Sequence, residues 1–253
     1  MKGCTRFAAQ LYSIRDILWK DPEKCLAELK AAGYDGVEFA KYGGHSAEGL
    51  RRILANTGMV GVGTHVNGDL FLVGDELKRT LDICAEAGIL SVVTPHAKRD
   101  SADAYRRFGA DMGKAAEAAA AYGIKVGVHT TYHHFETTYD GVTAWDIIFS
   151  ETSPLLQQQV DTSNTFHTGT DVVALLKKYP DRHFSVHLKE NTPSATATLG
   201  EAPTDGGPLV PWREVLDEIA AEGVPWGIVE AEVVPDSLEP LIASRRFLEK
   251  FKV

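Results

Sequence analysis

Short apolar runs alternate with longer segments of helical period from one end of the chain to the other. The β-like runs lie at 7–11, 36–39, 60–65, 90–94, 125–129, 156–160, 184–187 and 226–230. Each is only a few residues long, as expected of buried strands bounded by turns. Amphipathic segments separate them at 21–33, 46–58, 74–88, 102–123, 170–180, 211–223 and 236–251. The segment DPEKCLAELKAAG carries a proline just inside its start and a glycine after its end, the expected asymmetry of a helix.

Eight strand-then-helix units in 253 residues give about 32 residues per unit, with no low-complexity linker between them. The count predicts a single α/β domain over 1–253, a closed (β/α)8 TIM barrel. An open doubly wound sheet would carry a glycine-rich phosphate loop after its first strand, and Gln10-Leu11-Tyr12-Ser13 stands there instead. The least regular unit follows the fifth strand, where TTYHHFETTYDGVT (130–143) reads as a long loop. Residues 189–210 form the other long loop. In a barrel both belong to the C-terminal face, where active sites are built.

Composition narrows the function classes. The chain is 44% hydrophobic and 24% charged, with a net charge of −9, which argues against nucleic acid as a partner. No apolar run approaches the ~20 residues of a membrane span. Cys4, Cys25 and Cys84 form no paired spacing, so a reducing, cytoplasmic setting is expected. A small-molecule substrate is the expected partner, with a homo-oligomer or a partner subunit left open.

The chemistry lies at the strand ends. Strand two ends near Glu38, three at His65, four just before His96, five at His129, six at Asp161, seven at His187 and eight at Glu230. A single histidine in such a place is ordinarily a hydrogen-bonded core residue. Seven ionisable groups around one ring need a shared purpose, because isolated charges are expensive in a dry interior. His129, Asp161, His187 and Glu230 are two imidazoles and two carboxylates from four neighbouring strands. That set suits a divalent metal, Mn2+ first, with Co2+, Fe2+ or Zn2+ as alternatives, rather than Ca2+. Glu38, His65, His96, Lys189 and Trp212 are expected to bind substrate. Glu230, Glu136 and His133 are the candidates for proton transfer.

At these residues the chain resembles the xylose isomerase-like TIM barrels, in their sugar phosphate isomerase/epimerase branch. The resemblance is carried by QLYSIRD (10–16), AAGYDGVEFA (31–40), VGTHV (62–66), VDTSN (160–164), DVVALLKKYPDRHFSVHLKE (171–190) and WGIVEAE (226–232). It implies a metal on His129, Asp161, His187 and Glu230. It also implies isomerisation or epimerisation of a sugar or keto-sugar, by proton abstraction next to a metal-bound carbonyl. Two departures matter. The family's strand-five glutamate, both ligand and base, is replaced by His129, and HTTYHHFE (129–136) resembles a histidine-rich subset in which His133 or Glu136 could take the ligand or base role. DGGPLVPW (205–212) replaces the family's Gly-Glu-Gly before the tryptophan. A lyase of the same fold, such as an inosose-type dehydratase or a β-eliminating enzyme on a 3-keto-glycoside, is therefore the alternative.

Overall fold

A computed structural model describes residues 5–251 apart from 73, 96 and 192, and of Leu70 only the backbone. Eight parallel strands close into a barrel in chain order. They are β1 Arg6–Gln10, β2 Gly36–Phe39, β3 Val60–His65, β4 Ser91–Thr94, β5 Lys125–His129, β6 Leu156–Asp161, β7 Ser185–Leu188 and β8 Trp226–Val229. β8 pairs with β1 from Arg6 opposite Trp226 to Ala9 opposite Val229, which seals the ring and leaves the barrel no free edge.

The outer helices are α1 Pro22–Ala31, α2 Ala47–Thr57, α3 Glu76–Ala87, α4 Ala102–Ala120, α5 Ala144–Phe149, α6 Val172–Lys178, α7 Trp212–Glu222 and α8 Glu239–Leu248. Their ends follow local chemistry. Asp21 accepts a hydrogen bond from Lys24 N at the start of α1, and Ser46 does the same for Gly49 N at α2. α2 and α7 stop at Gly58 and Gly223, whose φ of 63° and 70° suits a residue without a Cβ.

Unit five differs from expectation. The loop after β5 folds into a short helix, His133–Glu136, then a hairpin of Thr138–Tyr139 against Val142–Thr143, before α5 begins. α5 escapes a search for helical period because AWDIIF is six residues long and buried at five of them, Ala144, Trp145, Ile147, Ile148 and Phe149.

The barrel interior changes character from bottom to top. Ala8, Val62, Trp226 and Ile228 form a small apolar cluster, distinct from the large core between sheet and helices. Side chains two residues further along a strand lie one layer higher on the same face. That step leads from Ala8 to Gln10, from Gly36 to Glu38, from Gly127 to His129, from Gln159 to Asp161, from Ser185 to His187 and from Ile228 to Glu230. The period of the strands thus lifts six polar side chains together above a lower layer in which, of those six positions, only Gln159 and Ser185 are polar. Room for this layer is made at Gly63, which stands opposite Glu38 across a register shift. A Cβ on Gly63 would come within 2.6 Å of Ser91 Oγ and 2.8 Å of Glu38 Oε1.

One buried histidine lies outside that layer and sets an acid limit on stability. His183 Nε2 donates to Leu176 O at 3.1 Å, and burial lowers its pKa to about 4. Below the unfolded value near 6.5, the unfolded chain takes up a proton that the folded chain refuses until about pH 4. The contribution is therefore complete above pH 6.5 and lost as pH falls to 4, amounting to about 3 kcal/mol. The denaturant midpoint should drop between pH 7 and 4.5, and drop less in His183→Gln. Equal acid slopes in the two proteins would contradict this assignment.

Candidate metal centre

His129, Asp161, His187 and Glu230, from β5, β6, β7 and the residue after β8, each offer a donor atom within 4.8 Å of the others. Asp161 and His187 are fully buried, and solvent reaches the group only at His129 (6% exposed) and Glu230 (8%). The register explains the convergence, since Asp161 lies opposite His187 and His187 opposite Ile228 in the parallel ladders.

Asp161 is held from its own side. Oδ1 accepts from Asn164 N at 2.7 Å, capping the short helix Thr162–Phe166, and its backbone N donates to Thr130 Oγ1 at 2.7 Å. Its other oxygen, Oδ2, has no hydrogen-bond partner, nor does either ring nitrogen of His129. His129 Nε2 stands 3.5 Å from Asp161 Oδ2. Unpaired buried polar atoms cost about 1–3 kcal/mol each, and two of these three, His129 Nε2 and Asp161 Oδ2, face each other where a cation with N and O ligands would satisfy both. The residues present fit a divalent metal.

The charges around the group agree at Asp161, Glu230 and His129, while His187, held as an imidazolium, would release a proton on binding a metal. Burial works against the His187 imidazolium, but Glu38 and Glu230 outweigh it and raise the pKa to about 10. Burial also disfavours the ionised form of Glu230, yet the Lys189 ammonium and His187 hold its carboxyl well below the usual range. For Asp161 burial is likewise overcome, by His129 and Lys189. His129 is pushed the other way, to about 4, chiefly by burial. An imidazole kept neutral beside two ionised carboxylates is in the state a metal ligand requires.

Glu38 was expected to face substrate, and the structure places it elsewhere. It is fully buried, and its four partners are all protein groups. Oε2 accepts from Gln10 Nε2 at 2.6 Å and His187 Nε2 at 2.7 Å, and lies 3.0 Å from His65 Nε2. Oε1 accepts from Gln159 Nε2 at 2.8 Å. Burial opposes its charge, but the two imidazoles outweigh burial and hold the carboxyl well below its usual range. His65 does reach the rim, with 12% of its side chain exposed and its ring stacked on His187 at 5.3 Å.

Lys189 lies beside the centre, with Nζ on Glu232 Oε1 at 2.6 Å. Trp212, expected to line the pocket, is 5% exposed, and its indole N–H donates to Glu190 Oε2 at 2.6 Å. Glu190 also accepts from the backbone N–H groups of Asn191, Gly200 and Val210, so this buried carboxylate shapes the long loop after β7. Trp212 is thus an anchor of that loop and not a wall of the pocket.

The candidates from the loop after β5 do not join the centre. Glu136 is exposed, without a hydrogen bond or ion pair to any of the four residues. His133 is half-buried, near Thr131 Oγ1 at 3.0 Å, with its ring 4.4 Å from that of His134. His134 is buried against Trp145, and burial together with His133 keeps its pKa well below the usual imidazole value. His96 lies outside the described residues.

Sequence reasoning missed Gln10 and Gln159, the amides that brace Glu38 from neighbouring strands. A signal for Gln159 existed. LQQQVD puts three glutamines into a strand that must be buried on at least one face, and two of them, Gln158 and Gln159, are buried.

Comparison with known proteins agrees with the fold. Residues 26–251 match the family described as Xylose isomerase-like TIM barrel, and the chain belongs to that family. It is 26% identical to the rhizopine catabolism protein MocC of Rhizobium meliloti, over 87% of this chain and 77% of that one. A sugar phosphate isomerase/epimerase structure from Parabacteroides distasonis superposes with a TM-score of 0.82 at 21% identity, covering 98% and 99% of the two chains. The structure of the IOLI protein with a bound zinc atom superposes with a TM-score of 0.70 at 16% identity, covering 97% of each chain. Among the described residues, no helix is long and apolar enough to cross a membrane, and Cys25 and Cys84 are buried free thiols.

Proposed function

We propose that the protein is a divalent-metal-dependent enzyme that isomerises or epimerises a sugar or keto-sugar, by moving the proton on a carbon next to a carbonyl. One observation carries the reading. Four N and O side chains leave four consecutive strands with donor atoms within 4.8 Å of one another, and two of them, His129 and Asp161, keep polar atoms without partners. The zinc in the IOLI structure and the isomerase/epimerase name of the Parabacteroides protein support it by analogy of fold.

Two imidazoles and two carboxylates suit Mn2+, with Co2+, Fe2+ and Zn2+ as alternatives. When bound, such an ion supplies Lewis-acid polarisation of a carbonyl and so acidifies the adjacent C–H. The chain's own residues do the rest. Glu230 is the carboxylate of the set that solvent reaches, and Lys189 and His187 keep it ionised, so it can accept the α-proton. Lys189, fixed by Glu232, presents an ammonium beside it. His65 on the rim offers an imidazole to a substrate hydroxyl.

A second reading is favoured by one observation. β5 ends in His129, and Glu136, the carboxylate in the loop beyond it, is exposed and does not join the four-residue group. Glu230 then faces imidazoles instead of a second carboxylate base. That pairing suits a lyase, in which Glu230 takes the α-proton, the β C–O bond breaks, and an imidazolium protonates the departing oxygen.

The test is deuterium uptake from D2O at the α-carbon of a panel of ketoses and keto-glycosides. Exchange is expected with the Mn2+-loaded protein, lost on chelation and restored by added metal. An isomerase product keeps the substrate's mass apart from the label, whereas a lyase product loses water or an aglycone. A metal-loaded protein that exchanges no member of the panel would count against both readings.

A further inference from the structure

The hydrogen bonds around Glu38 contain a chain of forced donor assignments. Glu38 is fully buried, and two side-chain amides and two imidazoles turn toward its oxygens, so it accepts from all of them. Gln159 approaches Oε1 at 2.8 Å through the amide end that also lies 2.9 Å from Ser185 Oγ. That end must be the NH2, because an amide oxygen facing a carboxylate would leave two acceptors in contact. The amide oxygen of Gln159 therefore faces His65 Nε2 at 2.8 Å, and only a protonated nitrogen can donate to it. The same logic applies to His187. Its Nε2 lies 2.7 Å from Glu38 Oε2 and must carry hydrogen there.

Each ring is thereby left with one nitrogen to define. His187 turns Nδ1 toward Glu230, 3.1 Å from Oε2 and inside the four-residue group, where it too donates to a carboxylate and would give up that hydrogen to a metal taking its place. His65 keeps its hydrogen on the nitrogen facing the barrel interior, so in the neutral ring Nδ1 holds the lone pair. Neither outcome would follow from the rings' positions alone.

We propose that Glu38 is a positioning residue that sets the tautomers of two histidines at once. It keeps Nε2–H on His187, so that Nδ1 is the nitrogen available to a metal, and with Gln159 it keeps Nε2–H on His65, so that Nδ1 is the basic nitrogen at the rim. The inference rests on the metal-centre reading for His187 and on hydrogen-bond geometry alone for His65. A carboxylate behind a metal-ligating imidazole is a general device for fixing ring orientation and raising ligand basicity. Here one carboxylate serves the ligand and the substrate-facing ring together, with Gln10 Nε2 at 2.6 Å bracing it from β1.

Nitrogen-15 NMR of the histidine rings reads the tautomers directly in the wild-type protein loaded with Zn2+. The expected spectrum has a protonated Nε2 on both His65 and His187, with Nδ1 of His187 carrying the metal shift. Glu38→Gln removes the charge and puts an NH2 against Gln159 at Oε1 or against three donors at Oε2, so it should weaken Zn2+ about 10–100-fold in a chelator competition and disturb both ring signals. Gln159→Leu removes one of the two acceptors of His65 Nε2, leaving Glu38 Oε2 at 3.0 Å, and keeps the Glu38–His187 bond. It should therefore alter the His65 signal while Zn2+ affinity stays within about threefold of wild type.

A His187 that carries its proton on Nδ1 in the loaded wild-type protein would overturn the inference, and that measurement needs no variant to fold. So would a folded Glu38→Gln protein with wild-type affinity and unchanged His187 resonances. A wild-type protein that binds no divalent metal would instead overturn the metal centre. The His65 tautomer would then still report on Glu38 and Gln159.

Discussion

Glu230→Gln should lower α-proton exchange by about 10²–10⁴-fold, the usual contribution of a positioned general base. The amide keeps the size of the side chain and an oxygen that can still act as a ligand, so the loss should fall mainly on proton transfer. Glu230 merits this expectation because it sits one residue beyond β8, on the rigid frame, with Lys189 and His187 holding it ionised. Its lowered pKa makes it a weaker base than a free carboxylate, and the acidified C–H opposite must compensate. Glu136→Gln should leave exchange within about twofold of wild type, because Glu136 is exposed and lies outside the four-residue group. If the two results are reversed, the base belongs to the loop after β5 and that loop must close over the substrate. Deuterium exchange measured on both variants under identical metal loading decides it.

His187→Ala and Asp161→Asn should each weaken metal binding by more than about a hundredfold, since loss of an outer partner alone costs 10–100-fold. The two variants differ in what they leave behind. Without His187, Glu38 and Glu230 lose the cation between them, and breaking such a buried pair typically costs about 3–5 kcal/mol. His187→Ala should therefore melt earlier even without metal. Asp161→Asn removes a charge but keeps the oxygen that caps Asn164, so its metal-free stability should change less. Chelator competition and thermal melts separate the two effects. Stoichiometric metal retained by both folded variants would mean that the site is elsewhere.

The fold was legible because the eight strands and seven of the eight helices carry their own periods and caps. The short α5 was not, since a buried six-residue helix has no polar face to mark it. Of the candidate centre, the convergence of His129, Asp161, His187 and Glu230 could be anticipated because the strand period brings strand ends to one level. What lies behind them could not. Glu38 and His65 look alike in sequence, each an ionisable residue at a strand end. Only the register shift between β2 and β3 and the room left at Gly63 turn Glu38 inward, to meet Gln10, Gln159 and His187. Trp212 was misplaced for a similar reason. A tryptophan opening a helix near the mouth suggests a pocket wall, and the buried Glu190 that takes its N–H lies 22 residues earlier in the chain. Partners that far apart are set by tertiary packing, which a reading of local pattern does not contain.

A single divalent cation should sit among the ends of β5 to β8. Anomalous X-ray scattering at the manganese edge, from crystals grown with Mn2+ and no other divalent ion, would locate it. One strong peak is expected within ligand distance of His129, Asp161, His187 and Glu230. A crystal with no peak there, or with its peak among Glu38, His65 and His187 instead, would contradict it.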